Sequence, residues 1–108
     1  PYWDWTMDWS DPLSASIFQL FPVRSGGRGD CKYRRTVPEA HCLTRNYTAK
    51  AFTNFYSRQL IERIKRQSQS FESFWRMIEP APHGIVHSAI GGEGGDMTQM
   101  HSPNDPLF

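Results

Sequence analysis

The sequence predicts a mainly α-helical fold preceded by a long, irregular, aromatic-rich N-terminal third. Three observations lead to this prediction. Apolar residues recur at helical spacing from Phe52 onward, whereas residues 1–48 show little periodicity and many turn-forming residues. Proline and glycine then divide the second half into segments of helical length. A chain of 108 residues can bury only a modest core, so one small domain is expected.

Charge and hydropathy exclude two kinds of partner. The chain has 12 Lys and Arg against 11 Asp and Glu, and its one basic cluster, Arg63–Arg66, lies inside a helical pattern as a solvated face. There is no apolar run of membrane-spanning length and no charged-then-apolar leader. We therefore expect neither a nucleic-acid nor a membrane partner.

The N-terminal third opens on aromatic and acidic residues. Its first segment, "PYWDWTMDWSDP", places Trp3, Trp5 and Trp9 among three aspartates. Rings at this density usually pack against another layer, with the indole N–H groups bonded to carboxylates or carbonyls. Stacking of the rings on a bound ligand is the alternative.

The two cysteines give information on the cellular compartment of the protein. Cys31 and Cys42 enclose ten residues and could close a disulfide loop worth roughly 2–3 kcal/mol, although two free thiols fit the sequence equally well. Asn46 begins an N-glycosylation sequon, Asn46-Tyr47-Thr48. Together these features slightly favour a secreted protein and leave the localisation open.

The apolar pattern predicts two helices in the middle of the chain. The first runs from about Thr48 to about Arg66, and "QSQS" ends it. Ser68 or Ser70 can cap the second, which two prolines then stop. The apolar stripe of the first helix comprises Phe52, Phe55, Tyr56, Leu60, Ile61 and Ile64, and that of the second comprises Phe71, Phe74, Trp75 and Ile78.

A third helix is expected to begin at Pro82 and to end at Gly91-Gly92. His83 and His87 lie one turn apart on the same side of it. Two imidazoles at this spacing can aim two nitrogens at one metal ion, but two partly buried histidines bonded to carbonyls are also consistent with the pattern. A zinc protease is disfavoured because Gly84 stands where its catalytic glutamate would follow the first histidine.

A structural zinc site is the remaining metal alternative. It would combine Cys31, His41 and Cys42 with one histidine of the helix. These spacings match no known finger, ribbon or knuckle pattern.

The residues around the histidine pair resemble the second copper half-site of the tyrosinase family. The matching elements are Pro82-His83-x-x-Val86-His87-x-x-Ile90-Gly91-Gly92, then Gly95-Asp96-Met97, then Ser102-Pro103-Asn104-Asp105-Pro106-Leu107-Phe108. Upstream, "PYWDW" resembles the segment after the first half-site, and "HCLTRNY" resembles a stretch that fungal members carry between the half-sites.

This resemblance implies a type 3 copper helical bundle, in which two copper ions are each bound by three histidines. By position, His83 and His87 are expected to be the first two ligands of the second copper. The other four ligands are expected outside residues 1–108, so the chain is expected to be an inactive central fragment. Residues 1–48 would then form a loop-rich linker between the half-sites, and residues 49–108 the helices and the start of the second half-site.

Two further positions bear on the reaction that the resemblance implies. Glu79 resembles a family glutamate that holds a water near the copper and helps to deprotonate a phenol, although a helix-end carboxylate is an equally good interpretation. Gly84 replaces an Asn that helps to orient that water in many tyrosinases, and glycine has no side chain to do so. The expected reaction is therefore oxidation of o-diphenols or o-aminophenols to quinones with dioxygen, rather than hydroxylation of monophenols. A hemocyanin-like oxygen binder and a truncated remnant acting as an interaction module are the alternatives.

Overall fold

The structure, a computed structural model, describes residues 3–108, so Pro1 and Tyr2 of the opening aromatic segment lie outside the described residues. The helices are α1 (Ser16–Leu20), α2 (Arg58–Gln67), α3 (Phe71–Ile78) and α4 (Gly84–Gly91), and the strands are β1 (Asp30–Arg35) and β2 (His41–Leu43). Short 3-10 turns occupy Pro12–Ser14, Ala49–Asn54, Asp96–Thr98 and Ser102–Asn104, and one π-helical turn spans Glu79–His83. The prediction of a mainly helical chain is confirmed.

The N-terminal third contains a β-hairpin that the sequence pattern did not predict. Strands β1 and β2 pair antiparallel, with Arg35 opposite His41. Cys31 and Cys42 form a disulfide across the pair, and their Cα atoms lie 4.3 Å apart. Of the two alternatives for the cysteines, the structure therefore has the disulfide.

The core is built where α4 meets the rings of Phe52 and Phe55. Aromatic rings from the N-terminal third pack against this core. Ile90 is completely buried, and Phe52 and Phe55 are almost so. The rings of Trp3 and Trp5 each lie 6.0 Å from that of Phe55. The predicted packing of these two indoles is confirmed, and Trp3 Nε1–H donates to Asp8 at 2.8 Å. Trp9, in contrast, is 45% exposed.

The predicted helix from Thr48 to Arg66 is wrong as a single element. A 3-10 turn at Ala49–Asn54 gives way to extended backbone, and α2 begins at Arg58. The break has two causes: Phe52 and Phe55 turn into the aromatic core, and Ser57 caps the new helix by accepting a hydrogen bond from the Leu60 N–H.

Helix α3 begins at Phe71, and of the two predicted caps, Ser68 and Ser70, it is Ser70 that caps it, in a reciprocal capping box with Ser73. Contrary to the prediction, the two prolines after α3 do not end the helical path. Because Pro80 and Pro82 lack N–H groups, the regular hydrogen-bond ladder cannot continue, and the chain instead widens into one π-helical turn that leads directly into α4. None of the described helices is long and apolar enough to cross a membrane.

The end of α4 agrees with the prediction. Gly91 is its last residue, and Gly92 follows with φ of 57°. A side chain at Gly92 would place its Cβ 1.8 Å from the Asn46 carbonyl oxygen, so only glycine fits this contact. The contact joins α4 to the segment that follows β2.

Candidate metal centre

His83 and His87 face one another at the start of α4. His83 is the last residue of the π-helical turn, and His87 lies one helical turn later. Their rings stack with centroids 4.5 Å apart, and their Nε2 atoms are 2.6 Å apart. The structure thus brings the two predicted residues together, with the Nε2 atoms as their point of closest approach.

The partners of the other ring nitrogens define which tautomer each histidine adopts. His87 Nδ1 lies 2.7 Å from the Met97 carbonyl oxygen, which can only accept, so Nδ1 carries the hydrogen and Nε2 carries a lone pair. His83 Nδ1 lies 3.3 Å from Glu79 Oε2, which favours the same tautomer.

Two nitrogen lone pairs at this separation repel one another unless a positive charge lies between them. A shared proton or a bound cation supplies that charge. Two imidazole nitrogens this close can both reach one transition-metal ion at about 2.0 Å, so this donor pair fits the chemistry of zinc or copper.

An apolar cavity adjoins the pair. It has a volume of about 350 Å³ and is lined by Trp3, Trp5, Ile78, His83, Val86, His87, Met97, Leu107 and Phe108. The Phe108 ring lies 5.7 Å from that of His87. An open groove that runs past Glu79 and Gly84 is also lined by the pair. His83 and His87 therefore line both a mainly apolar cavity and a groove open to solvent.

Glu79 and Gly84 both lie beside the pair, but only Glu79 has a side chain that contacts a histidine. The Glu79 carboxylate is about half exposed and contacts His83 through Nδ1. Gly84 has room for a side chain, because a Cβ there would meet only the Glu79 carbonyl oxygen, at 3.5 Å. Nothing at Gly84 in this structure contacts the histidine nitrogens.

A second cluster, His41, Asp96 and His101, was not predicted from the sequence. His41 Nε2 lies 2.6 Å and His101 Nε2 3.2 Å from the same oxygen, Asp96 Oδ1. The other oxygen of Asp96 accepts hydrogen bonds from Thr44 N and Oγ1 at 2.7 and 2.8 Å. Since His41 and Asp96 are 55 residues apart, no local spacing could have indicated the cluster.

The contacts within this cluster shift two pKa values. The Glu39 carbonyl, followed by the Asp96 carboxylate, stabilises the charged His41 ring and raises its pKa. Burial alone would raise the pKa of Asp96, but the hydrogen bonds from the Thr44 N–H, His41 and the Thr44 hydroxyl together outweigh it and lower this pKa. His41 and Asp96 thus each favour the charged form of the other.

A buried salt bridge fixes the last turn of the chain beside the cavity. Arg45 Nε and Nη2 donate to the two oxygens of Asp105, both at 2.7 Å, and neither side chain is exposed. Asp105 Oδ1 also accepts from the Leu107 N–H. Because Leu107 and Phe108 line the apolar cavity, this salt bridge positions one wall of it.

The fold and the site define a class: a small, mainly helical domain in which two imidazole rings face one another at the start of α4. The family model for the common central domain of tyrosinase matches residues 11–108. The chain belongs to the tyrosinase family, which comprises copper oxidoreductases that act on phenolic substrates with dioxygen. The predicted family membership is confirmed.

Two curated relatives from fungi match the whole chain. The tyrosinase-like protein phomQ2 of Diaporthe leptostromiformis is 28% identical, and tyrosinase ustQ of Aspergillus flavus is 29% identical. The matched regions are 33% and 36% of the lengths of these relatives, so the chain spans about a third of each. No solved structure matches the chain.

Proposed function

We propose that this chain forms the central part of a type 3 copper oxidoreductase, in which His83 and His87 bind one copper ion through Nε2. The observation that carries this proposal is the convergence of two Nε2 lone pairs, 2.6 Å apart, in a chain of the tyrosinase family. Copper bound there would supply one-electron redox chemistry toward dioxygen. The remaining ligands, and the complete helical bundle, would come from parts of the protein outside residues 1–108.

The proposed reaction is the oxidation of o-diphenols or o-aminophenols to quinones. Two substrate molecules would each lose two electrons and two protons, and these four electrons and four protons would reduce one dioxygen to two waters. Residues 1–108 alone would be inactive, because the two imidazoles would bind copper weakly without the remaining ligands. Phenolic substrate and dioxygen are thus the proposed partners.

The neighbouring residues orient the histidines and handle protons. The Met97 carbonyl holds His87 in the tautomer that can bind a metal, and Glu79 does the same for His83 at longer distance. We propose that Glu79, which reaches the open groove, also accepts the proton of a phenol. The rings of Trp3, Trp5 and Phe108 make the adjoining cavity mainly apolar.

Gly84 supports oxidation of diphenols rather than hydroxylation of monophenols. It lies next to His83 but has no side chain that could donate or accept a hydrogen bond there. The groove beside it, of about 530 Å³, is open to solvent and would admit a small aromatic ring.

The Cys31–Cys42 disulfide supports an oxidising compartment, and we propose secretion on that ground. The Asn46 sequon adds less support, because Asn46 Nδ2–H donates to the Glu93 carbonyl at 2.9 Å. Attachment of a glycan would require this contact to break.

The test of the proposal is copper content together with oxygen uptake in the full-length protein. We expect His87→Ala to lose bound copper and catechol oxidation, whereas Ser88→Ala, an exposed neighbour on the same helix, keeps both. Full copper content and unchanged catechol oxidation in His87→Ala would contradict the assignment. Reversible oxygen binding without consumption of catechol would instead identify an oxygen carrier.

A further inference from the structure

The His41, Asp96 and His101 cluster joins β2 to two neighbouring turns that follow α4. His41 begins β2, Asp96 opens the 3-10 turn after α4, and His101 precedes the next such turn. Their three candidate donor atoms all lie within 4.8 Å of one another. Two imidazoles and one carboxylate are a donor set that divalent transition ions commonly bind in proteins.

The outer contacts of the cluster orient the donors inward. His41 Nδ1 lies 2.7 Å from the Glu39 carbonyl oxygen, so it carries the hydrogen, and Nε2 faces Asp96. Thr44 occupies one oxygen of Asp96 with two hydrogen bonds and leaves the other to the imidazoles. Metal-binding histidines and carboxylates are typically held by outer contacts of this kind.

The same contacts require a positive charge between His41 and Asp96. A neutral His41 would direct its Nε2 lone pair at a carboxylate oxygen 2.6 Å away, which is repulsive. Either a second proton on His41 or a metal ion removes this repulsion. A metal ion would in addition engage His101, whose Nε2 lies 3.2 Å from the same oxygen.

The cluster is accessible to solvent through its two histidines. The Asp96 side chain is 1% exposed, whereas those of His41 and His101 are 25% and 23% exposed, so an ion can enter from solvent between the rings. The Cys31–Cys42 disulfide links β2, which begins at His41, to β1.

We propose that His41, Asp96 and His101 bind one divalent ion of the zinc type, in a structural site distinct from the His83–His87 pair. The bound ion would tie the hairpin to the turn after α4. That turn includes Met97, whose carbonyl orients His87, so occupancy of the structural site would steady the neighbouring imidazole pair.

The test is zinc content in full-length protein that carries His83→Ala and His87→Ala, so that the imidazole pair cannot contribute. In this background we compare His101→Ala with Met100→Ala, whose side chain is 99% exposed and contacts none of the donors. Each variant is dialysed against buffered zinc and measured by mass spectrometry. We expect His101→Ala to bind one zinc equivalent fewer than the Met100→Ala control.

A second variant tests the outer contacts. Thr44→Val keeps the shape of the side chain but removes the hydroxyl donor to Asp96, and we expect roughly 10-fold to 100-fold weaker zinc binding at this site. Equal zinc content and affinity in the His101→Ala and Met100→Ala proteins would overturn the proposal. Absence of zinc from the control at micromolar concentrations would overturn it as well.

Discussion

Arg45 and Asp105 form a two-pronged salt bridge that is closed to solvent and joins the segment after β2 to the last turn of the chain. Arg45 Nη1 also donates to the Phe21 carbonyl, at 3.0 Å. The buried polar atoms of both side chains have hydrogen-bond partners. Among the residues that the structure describes, no buried side-chain nitrogen or oxygen lacks one. Removal of one charge would leave the other buried and unpaired.

Loss of this salt bridge should be strongly destabilising. We expect Asp105→Asn to lower the free energy of unfolding by about 3–5 kcal/mol, because the guanidinium of Arg45 stays buried without its counter-charge. Denaturation in urea measures the change. The control is Glu72→Gln, which breaks an exposed ion pair with Arg76 and should cost less than about 0.5 kcal/mol. Similar losses in the two variants would show that the buried pair has no special role.

A hydrogen-bonding side chain in place of Gly84 should change the reaction without disturbing the fold. Since a Cβ there meets only the Glu79 carbonyl oxygen, at 3.5 Å, we expect Gly84→Asn and Gly84→Ala to fold like the natural protein. In the copper-loaded full-length enzyme, Gly84→Asn should gain hydroxylation of tyrosine, because its amide can orient a water beside Glu79.

The readout is oxygen uptake with tyrosine and with catechol. We expect Gly84→Ala to oxidise catechol and to leave tyrosine unchanged, since alanine adds bulk but no hydrogen-bonding group. Brisk hydroxylation of tyrosine by the natural enzyme, or by Gly84→Ala, would refute the argument from Gly84.

Gly92 and Gly94, which follow α4, provide a matched comparison of backbone strain and steric clash. Gly92 and Gly94 both have positive φ, 57° and 79°. A Cβ at Gly94 would meet no atom within 4 Å, whereas one at Gly92 would lie 1.8 Å from the Asn46 carbonyl oxygen. We expect Gly94→Ala to cost about 1 kcal/mol and Gly92→Ala about 3 kcal/mol or more in thermal unfolding. Equal costs would mean that the contact between α4 and Asn46 is readily displaced.

Local signals in the sequence predicted the parts of the site that lie within one turn of helix. The spacing of His83 and His87 placed them on one face, the capping residue Ser70 set the start of α3, and Gly92 marked the end of α4. Each of these features depends on contacts between residues at most a few positions apart. The assignment of the two histidines to copper stays a prediction.

Features that depend on distant contacts could not be predicted in this way. Phe52 and Phe55 have helical spacing, but they pack on Trp3, Trp5 and α4 instead of continuing α2. The hairpin is short and polar, with no alternating apolar pattern to reveal it. The cluster around Asp96 depends on how the hairpin docks against the turn after α4, which no spacing in the sequence encodes.

The ion pair between His41 and Asp96 predicts how stability depends on pH. The raised pKa of His41 means that its contribution is complete below the ordinary value of 6.5 and is lost as pH rises through the raised pKa. The lowered pKa of Asp96 means that its contribution is complete above 3.8 and is lost as pH falls through the lowered pKa. Both contributions are therefore complete between these two values.

We expect the metal-free protein, kept in a chelator, to lose stability as pH rises above 6.5 and through the raised pKa of His41, because His41 then loses its proton and its attraction to Asp96. Urea denaturation at several pH values measures this decline. His41→Gln should flatten it, since glutamine does not titrate, whereas His101→Gln should retain it because His41 and its two acceptors remain. An equally steep decline in His41→Gln would show that the pH dependence arises elsewhere in the protein.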